Sequence, residues 1–423
     1  MAGPTVAVSQ KSVENQQPGN YTFALTSLTS LFFMWGFITA LNDVLIPYLK
    51  GMFELNFAQA MLVQFCFFGA YFIVSIPAGV LVKKLGYQKG IVIGLALASC
   101  GCLLFYPAAA LKVYWIFLAA LFVLAAGITI LQVAANPYVS ILGDPKTSSS
   151  RLNLTQAFNS LGTTIAPIWV GPIILASFIF AEGADSSPEI LGESVQTPYL
   201  LLAISLIVLA VIFALIKLPK IDQTPATNEV TIEGSAWQHK HLVLGAVGIF
   251  VYVGAEVGIG SFIVNFLALD SIASMAEAEA SRYIGYYFGG AMVGRFIGAG
   301  IMQKVAANKV LAANALGACL LLILTIMSSG AVAMWAILLV GLCNSIMFPT
   351  IFTLAINGLK QHTSQGSGIL CLAIVGGAIL PLLQGILADL VGIQLSLTIP
   401  LVCYFFIVYY GLIGCMPKPI EQN

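Results

Sequence analysis

Two acidic side chains occur in stretches of the sequence that are otherwise apolar. Asp43 lies in LNDVLIP and Glu256 lies in GAEVGIG. A charged group at bilayer depth costs at least ~2.5–3.5 kcal/mol, so it persists mainly where it faces a cavity or a partner. On a helix, Asp43 shares a face with Thr39 and is adjacent to Asn42. These carboxylate, amide and hydroxyl oxygens predict a cation site, with a buried acid bonded to a neighbouring helix as the alternative.

A second set of polar side chains carries no charge. Gln132 and Asn136 are four residues apart in ILQVAANPYVSILG and therefore point the same way on a helix. A second stripe, in RLNLTQAFNSLGTTIAP, steps by three, three and four residues through Asn153, Gln156, Asn159 and Thr163. Neutral amides both donate and accept hydrogen bonds, which suits a ligand with many hydroxyl groups, such as a sugar. For any one of these residues, a bond that only joins two helices is the alternative.

The second half of the chain offers fewer polar candidates. Glu256 is flanked by glycines that suit close helix contact, so a structural role and a functional role both remain open for it. Arg295 is the only basic residue in the interior of a predicted span, whereas an anionic substrate would call for Arg or Lys in the cavity, so the sequence argues against an anionic ligand. The predicted substrate-binding residues are Gln132, Asn136, Gln156, Asn159, Glu256, Asn344, Asn357 and Gln384.

The elements that position these side chains are transmembrane helices. The chain has 423 residues, of which 59% are hydrophobic and 8% charged. Such a composition indicates an integral membrane protein surrounded by lipid. Apolar runs of about 20 residues, long enough to cross a bilayer as helices, occur twelve times. They cover 23–46, 60–82, 90–109, 113–142, 153–178, 198–217, 241–268, 281–303, 309–328, 331–358, 366–391 and 394–415.

Charge and composition exclude several function classes. The 17 basic and 17 acidic residues form no charge run that would indicate nucleic-acid binding. The three histidines fall in predicted loops, and we find neither a nucleophile motif nor metal-ligand spacing, so we expect no enzyme activity and no cofactor. The eight cysteines show no CxxC spacing, which leaves disulfides and a metal centre without support.

Basic residues predict the orientation of the chain. Thirteen Lys and Arg residues fall on one side of the twelve-span arrangement, against Lys50, Lys112 and Arg282 on the other. Because basic loops stay in the cytoplasm, both termini are predicted to be cytoplasmic. The predicted divisions are an N-terminal tail (1–22), a six-helix bundle (23–217), a cytoplasmic linker (218–240), a second six-helix bundle (241–415) and a C-terminal tail (416–423).

The two halves repeat each other at nearly one offset. Asp43 and Glu256 lie 213 residues apart in the first span of each half, and Pro137 and Pro349 lie 212 apart and are predicted to interrupt the fourth span. A glycine and a proline five residues apart recur in the fifth span of each half after 214 residues. Two parallel six-helix bundles that face each other across a cavity are typical of an alternating-access carrier.

Several segments resemble one known family. LFFMWGFITALNDVLIPYLKG, LLFYPAA, LQVAANPYVSILG and SRLNLTQAFNSLGTTIAP resemble the fucose–galactose–glucose symporter family of the major facilitator superfamily, in its bacterial glucose/galactose branch. The loop GVLVKKLGYQKG is similar to the superfamily's pattern after the second span but lacks its usual acid. The resemblance implies a symporter in the bacterial inner membrane that carries a hexose such as glucose or galactose inward with a cation. We expect it to act as a monomer.

The resemblance also bears on the coupling ion, Na⁺ or H⁺. Asp43 matches the family's coupling residue, and Gln132 stands where the proton-coupled fucose branch carries a glutamate. Since Gln132 cannot titrate, Na⁺ is preferred over H⁺. Asp43 would be the metal ligand, because sodium, like other hard cations, prefers oxygen ligands. The predicted cation-coupling residues are Asp43, Asn42, Thr39 and Gln132.

Other functions are weighed against hexose symport. A proton-coupled, fucose-like sugar symporter would differ only in its coupling ion and its sugar. An exporter of small apolar compounds would need an aromatic cavity with few amides, unlike the set around Gln132 and Asn136. A sensor that retains a carrier fold would bind its ligand without flux. The sequence leaves open the preferred hexose, the stoichiometry and the resting conformation.

Overall fold

The described residues of the first half form six long helices. The computed structural model describes residues 18–52, 57–111, 113–169, 188–219 and 234–417, and every regular element within those ranges is helical. The helices are α1 (Pro18–Met52), α2 (Phe57–Leu85), α3 (Tyr87–Leu111), α4 (Tyr114–Ile141), α5 (Ser148–Trp169) and α6 (Pro188–Leu215).

In the second half, three spans are single helices and three are each divided into two pieces. The single helices are α7 (Lys240–Leu267), α8 (Glu277–Ile301) and α9 (Ala307–Met327). The divided spans are α10 (Gly330–Asn344) with α11 (Met347–Ile356), α12 (Thr363–Leu372) with α13 (Gly376–Val391), and α14 (Ile393–Ser396) with α15 (Thr398–Tyr409). Within the described residues, the twelve predicted spans are thus confirmed as helices or helix pairs, whereas residues 170–178 of the predicted fifth span lie outside that part of the chain.

Length and apolar composition alone identify most of these spans. Within the described ranges, nine helical segments are long and apolar enough to cross a membrane. Helix α5 is not one of them, because it carries a high share of amide and hydroxyl side chains. A span this polar needs partners inside the protein, since lipid offers no hydrogen bonds.

The predicted linker falls largely outside the described part of the chain. Helix α6 ends at Leu215 and α7 begins at Lys240, and residues 220–233 between them lie outside the described ranges. The boundaries at 218 and 240 therefore stay predictions.

Two glycines bring α1 and α5 into direct backbone contact. A Cβ atom on Gly36 would overlap the carbonyl of Asn159, and one on Gly162 would overlap the carbonyl of Phe33. Small residues at helix crossings allow backbones to approach in this way within membranes. The contact fixes the polar stripe of α5 against the helix that contains Asp43.

The predicted interruption at the repeated prolines occurs in the tenth span but not in the fourth. Pro137 lies inside the continuous helix α4, whereas the tenth span divides just before Pro349. A proline supplies no N–H to the carbonyl four residues earlier. In α4 that carbonyl, of Val133, accepts a hydrogen bond of 2.9 Å from the Ser367 hydroxyl on α12, so the helix continues.

The two halves meet at the end that carries the loops after α4 and α11. There the hydroxyls of Ser149 and Thr353 lie 2.6 Å apart, and Asn153 Nδ2 donates to the hydroxyl of Thr350 at 3.1 Å. Helices α2 and α12 pack against each other as well. This end lies on the side that the basic residues predict to be cytoplasmic.

Candidate functional site

The predicted amides of α4 and α5 form one buried group in the first half. Gln156 Nε2 lies 3.5 Å from Asn136 Oδ1, which joins the two helices through side chains. Gln132, one turn before Asn136, donates from Nε2 to the hydroxyl of Tyr71 on α2 at 2.5 Å. All three amides are at most 6% exposed. The structure therefore places Asn136 of α4 against Gln156 of α5, with Gln132 one turn away on α4.

Asn159 has a different position from its neighbours on the same stripe. Its Nδ2 donates to the carbonyl of Phe32 on α1 at 2.9 Å, next to the glycine crossing. Its carbonyl accepts the hydroxyl of Thr163. Asn159 thus holds α1 and α5 together.

The predicted cation site is described only in part. Thr39 is half-buried, and its hydroxyl donates to the carbonyls of Trp35 and Gly36 in its own helix at 3.2 and 3.0 Å. Asn42 and Asp43 lie on α1, but their side chains are outside the described part of the chain. Among the described residues, no group of three or more His, Cys, Asp or Glu side chains forms a metal site.

Glu256 pairs with a residue that the predicted set omits. Arg295 on α8 lies with Nη2 3.9 Å from the Glu256 carboxylate. Its Nε donates to the carbonyl of Ser345 at 2.9 Å, and its Nη1 donates to the hydroxyl of Ser160 on α5. Ser160 is adjacent to Asn159, so this ion pair of the second half contacts the polar helix of the first half. The cost of a charge at membrane depth was the sequence signal that could have identified Arg295.

Asn344 lies at the C-terminal end of α10, where the tenth span divides. Its Nδ2 donates to the hydroxyl of Tyr287 at 2.6 Å, and its carbonyl accepts the hydroxyl of Tyr252 at 3.1 Å. The residue is fully buried. A carbonyl released by the end of a helix within the membrane requires such a donor.

The last two predicted residues have contrasting positions. Gln384 on α13 is buried and packs directly on Gly258 of α7, close to Glu256 along the helix. Asn357 caps the end of α11 on the surface, where its carbonyl bonds His241 Nε2 at 2.9 Å. The structure therefore places Asn357 apart from the other candidates, because α11 ends before the chain reaches it.

Several buried amide atoms have no hydrogen-bond partner among the described residues. They are Gln132 Oε1, Asn136 Nδ2 and Asn153 Oδ1 in the first half, and Asn344 Oδ1 and Gln384 Nε2 in the second. Burial of an unpaired polar group costs about 1–3 kcal/mol, so such atoms call for a ligand, an ion or water. The set contains both donors and acceptors, and it matches a hydroxyl-rich ligand rather than an apolar one.

Two six-span halves that meet beside buried, unpaired amides define a class of membrane protein, the secondary carriers. Residues 24–374 match the family model of the Major Facilitator Superfamily. The chain belongs to that superfamily and is a multi-pass membrane transporter rather than an enzyme.

Relatives of known name support this assignment along almost the whole chain. A glucose/galactose transporter of Brucella abortus biovar 1 (strain 9-941) is 59% identical over 401 residues, covering 95% of this chain and 96% of the relative. An L-fucose-proton symporter of Escherichia coli (strain K12) is 35% identical, covering 93% and 94%. A crystal structure of the E. coli fucose:proton symporter superposes with a TM-score of 0.85 at 32% identity, covering 96% of this chain and all of that one.

Proposed function

We propose that this transporter carries a hexose such as glucose or galactose into a bacterial cell together with a cation, by alternating access. The observation that carries the proposal is that buried amide atoms of Gln132, Asn136 and Gln384 have no hydrogen-bond partner among the described residues. A sugar hydroxyl can donate to the first and accept from the other two. The name of the Brucella relative supports a hexose as the ligand.

Sodium is the proposed coupling ion, with the proton as the alternative. Gln132 cannot carry a proton, and the charge of Glu256 is balanced by Arg295. Asp43 then remains as the intramembrane acid that would hold the cation, with oxygens of Asn42, Thr39 and Gln132 beside it. The proton-coupled E. coli relative supports the alternative.

The remaining features of the proposal concern placement and assembly. Both termini would lie in the cytoplasm, and the end at which the halves meet would then face inward. The transporter would act as a monomer in the inner membrane, since each six-helix half finds its counterpart within the same chain.

Uptake into proteoliposomes tests the proposal. We expect labelled glucose or galactose to accumulate under an inward Na⁺ gradient at equal pH on both sides, and not under a pH gradient without Na⁺. Accumulation under the pH gradient alone would instead identify a proton symporter. If neither gradient concentrates any hexose, the proposed function is wrong, and expulsion of apolar compounds would then favour an exporter.

Substitution of Asp43 tests whether this residue couples hexose transport to the cation. We expect Asp43→Asn to abolish gradient-driven accumulation, because the neutral amide can neither release a proton nor balance a cation. Asp270→Asn is the matched control, since Asp270 is an exposed loop residue. Undiminished accumulation by Asp43→Asn would remove Asp43 from the coupling role.

A further inference from the structure

The three histidines of the chain meet at one place in the structure. The ring centre of His239 lies 5.8 Å from that of His241 and 5.9 Å from that of His362. His241 and His362 are buried, and His239 is half-buried. Two distant parts of the chain, the start of α7 and the residue before α12, thus form one compact histidine cluster.

The cluster lies where the linker returns to the second bundle. A single 3-10 turn, Ala236–Gln238, directly precedes His239. The Ala236 N–H donates to the side-chain oxygen of Gln365 on α12 at 3.0 Å, and Gln365 Nε2 donates to the hydroxyl of Ser235 at 3.2 Å. Both ends of the Gln365 amide therefore hold the linker end on α12.

Helix α12 also takes part in the contact between the two halves. Ser367 donates to the carbonyl of Val133 at 2.9 Å, and the hydroxyl of Ser364 lies 3.5 Å from that of Tyr87. A Cβ atom on Gly368 would overlap the carbonyl of Ser75 on α2. The helix on which the linker end is docked is therefore one that closes this end of the transporter.

The surroundings of His239 disfavour a proton on its ring. Its Nε2 is buried and has no hydrogen-bond partner among the described residues, so the N–H of a protonated ring would lack an acceptor there. Burial also lowers the pKa of the His239 ring. The neutral ring therefore fits the docked arrangement better than the cation does.

The two helices that begin at the cluster oppose positive charge as well. His239 and His362 are the residues that precede α7 and α12, and His241 lies in the first turn of α7. A helix N-terminus is the positive end of the helix dipole, which disfavours a cation. Two protonated rings this close would also repel each other.

The elements around the cluster offer no nearby carboxylate. The helices packed on α7 or α12 there, which are α2, α4, α11 and α15, contain no acidic residue, nor does α12 itself. The acid on α7, Glu256, lies about four turns beyond His241. Tyr410 faces the cluster from the last span, and its hydroxyl donates to the carbonyl of His241 at 3.2 Å. The charged side chains on these elements are the exposed lysines Lys83, Lys84, Lys240 and Lys360.

We propose that His239, His241 and His362 form a pH-sensitive clasp, which holds the linker end on α12 while the rings are neutral and releases it when they become protonated. An exposed imidazole takes up a proton near pH 6.5, and the released rings take it up more readily than the docked ones. Docking is therefore strongest above about pH 7 and weakens as the pH falls below about 6.5. The basic residues predict this end to be cytoplasmic, so acid in the cytoplasm would loosen the helix that closes it.

Hydrogen–deuterium exchange of the full chain in detergent measures the docking. The Ala236 N–H reports on it directly, because its acceptor is the Gln365 side chain. We expect its protection, corrected for the intrinsic pH dependence of exchange, to fall about 3- to 30-fold from about pH 7.5 to about pH 5.5, the effect of opposing charge at two helix N-termini. The Ile216 N–H, which bonds the Ile212 carbonyl just after α6 in the first bundle, is the reference.

Substitutions separate protonation from packing. With all three histidines replaced by glutamine, protection of Ala236 at the higher pH should persist and its fall should disappear. His239→Gln alone should reduce the fall. Lys240→Gln is the matched control, because it removes a neighbouring charge that does not titrate in this range, so the fall should remain. Gln365→Ala should leave Ala236 weakly protected at both pH values.

Several outcomes would overturn the proposal. Equal or higher protection of Ala236 at the lower pH would do so, and so would an undiminished fall in His239→Gln. An equal fall at Ile216 would show general unfolding instead of release of the linker end. The exchange experiment requires neither hexose nor an ion gradient, so its result is independent of whether the proposed transport is correct.

Discussion

Arg295 is one of the residues through which the second half contacts α5, the polar helix of the first half. It faces Glu256, bonds the carbonyl of Ser345 and donates to Ser160 on α5. Ser345 is the residue four before Pro349, so its carbonyl lacks the usual helical N–H donor. The guanidinium supplies that donor and balances the carboxylate at the same time. Arg295 thus stabilises the end of the divided tenth span, the negative charge of Glu256 and a contact with the first half at Ser160.

Because the two charges balance each other, removing Arg295 alone should destabilise the protein more than removing both charges. We expect Arg295→Met to lower the unfolding free energy by about 3 kcal/mol, because Glu256 would be left as an unpaired charge in the membrane. The double variant Arg295→Met with Glu256→Gln should recover part of that loss. Thermal unfolding in detergent measures both. Equal losses in the single and the double variant would contradict a balanced ion pair.

At the scale of elements, the crossing of α1 and α5 determines where the polar stripe lies. Gly36 and Gly162 allow backbone contact there, and Asn159 adds a hydrogen bond to the carbonyl of Phe32. Because α5 is the polar span, its position in the membrane depends on such specific contacts more than on burial of apolar surface. Any side chain added at the crossing would displace the amides as a group.

A pair of glycine substitutions tests the crossing. We expect Gly162→Ala to destabilise the protein by about 1–3 kcal/mol, because the new methyl group overlaps the α1 backbone. It should also raise the KM for the hexose, since Gln156 and Asn159 move with α5. Gly69→Ala is the control in the same half, because a Cβ there meets no atom within 4 Å. Similar losses in the two variants would show that the crossing is not specific.

The elements were more predictable from sequence than the partners of the side chains. The lengths of the apolar runs located the twelve spans, and the four-residue spacing of Gln132 and Asn136 placed both on one face of a helix. Pro349 correctly predicted that the tenth span is interrupted, but hydropathy did not locate the break at Ser345, because the residues on either side are equally apolar. Spacing along one helix also gives no information about a second helix. The bond from Asn159 to α1, the pairing of Arg295 and the surface position of Asn357 therefore required the structure.

On the scale of the whole molecule, the halves are joined at one end by small polar side chains. The Ser149 and Thr353 hydroxyls touch, and Asn153 bonds Thr350. Hydroxyl contacts are weak individually, about 0.5–1.5 kcal/mol each, so a few of them can hold two bundles together without preventing separation. Such a contact suits a carrier whose halves move as bodies about a central site.

A reversible cross-link tests whether this end must open during transport. We expect a disulfide between Ser149→Cys and Thr353→Cys to form readily, because the two hydroxyl oxygens lie 2.6 Å apart. Oxidation should abolish hexose uptake, and reduction should restore it. Each single variant serves as the control for damage by the cysteine alone. Full transport by the cross-linked protein would show that the halves do not separate here.

The two repeated prolines, Pro137 and Pro349, differ in where the replacement hydrogen-bond donor comes from. Each proline leaves one carbonyl without its helical donor, yet the donors come from different places. Ser345 is bonded by Arg295 of the same half, so that bond can persist through any motion of the two bundles. Val133 is bonded by Ser367 of the opposite half, so that bond must be exchanged for water whenever this end parts. The hydrogen bond beside Pro349 therefore lies within one bundle and is kept during transport. The hydrogen bond beside Pro137 joins the two bundles and is broken each time they separate.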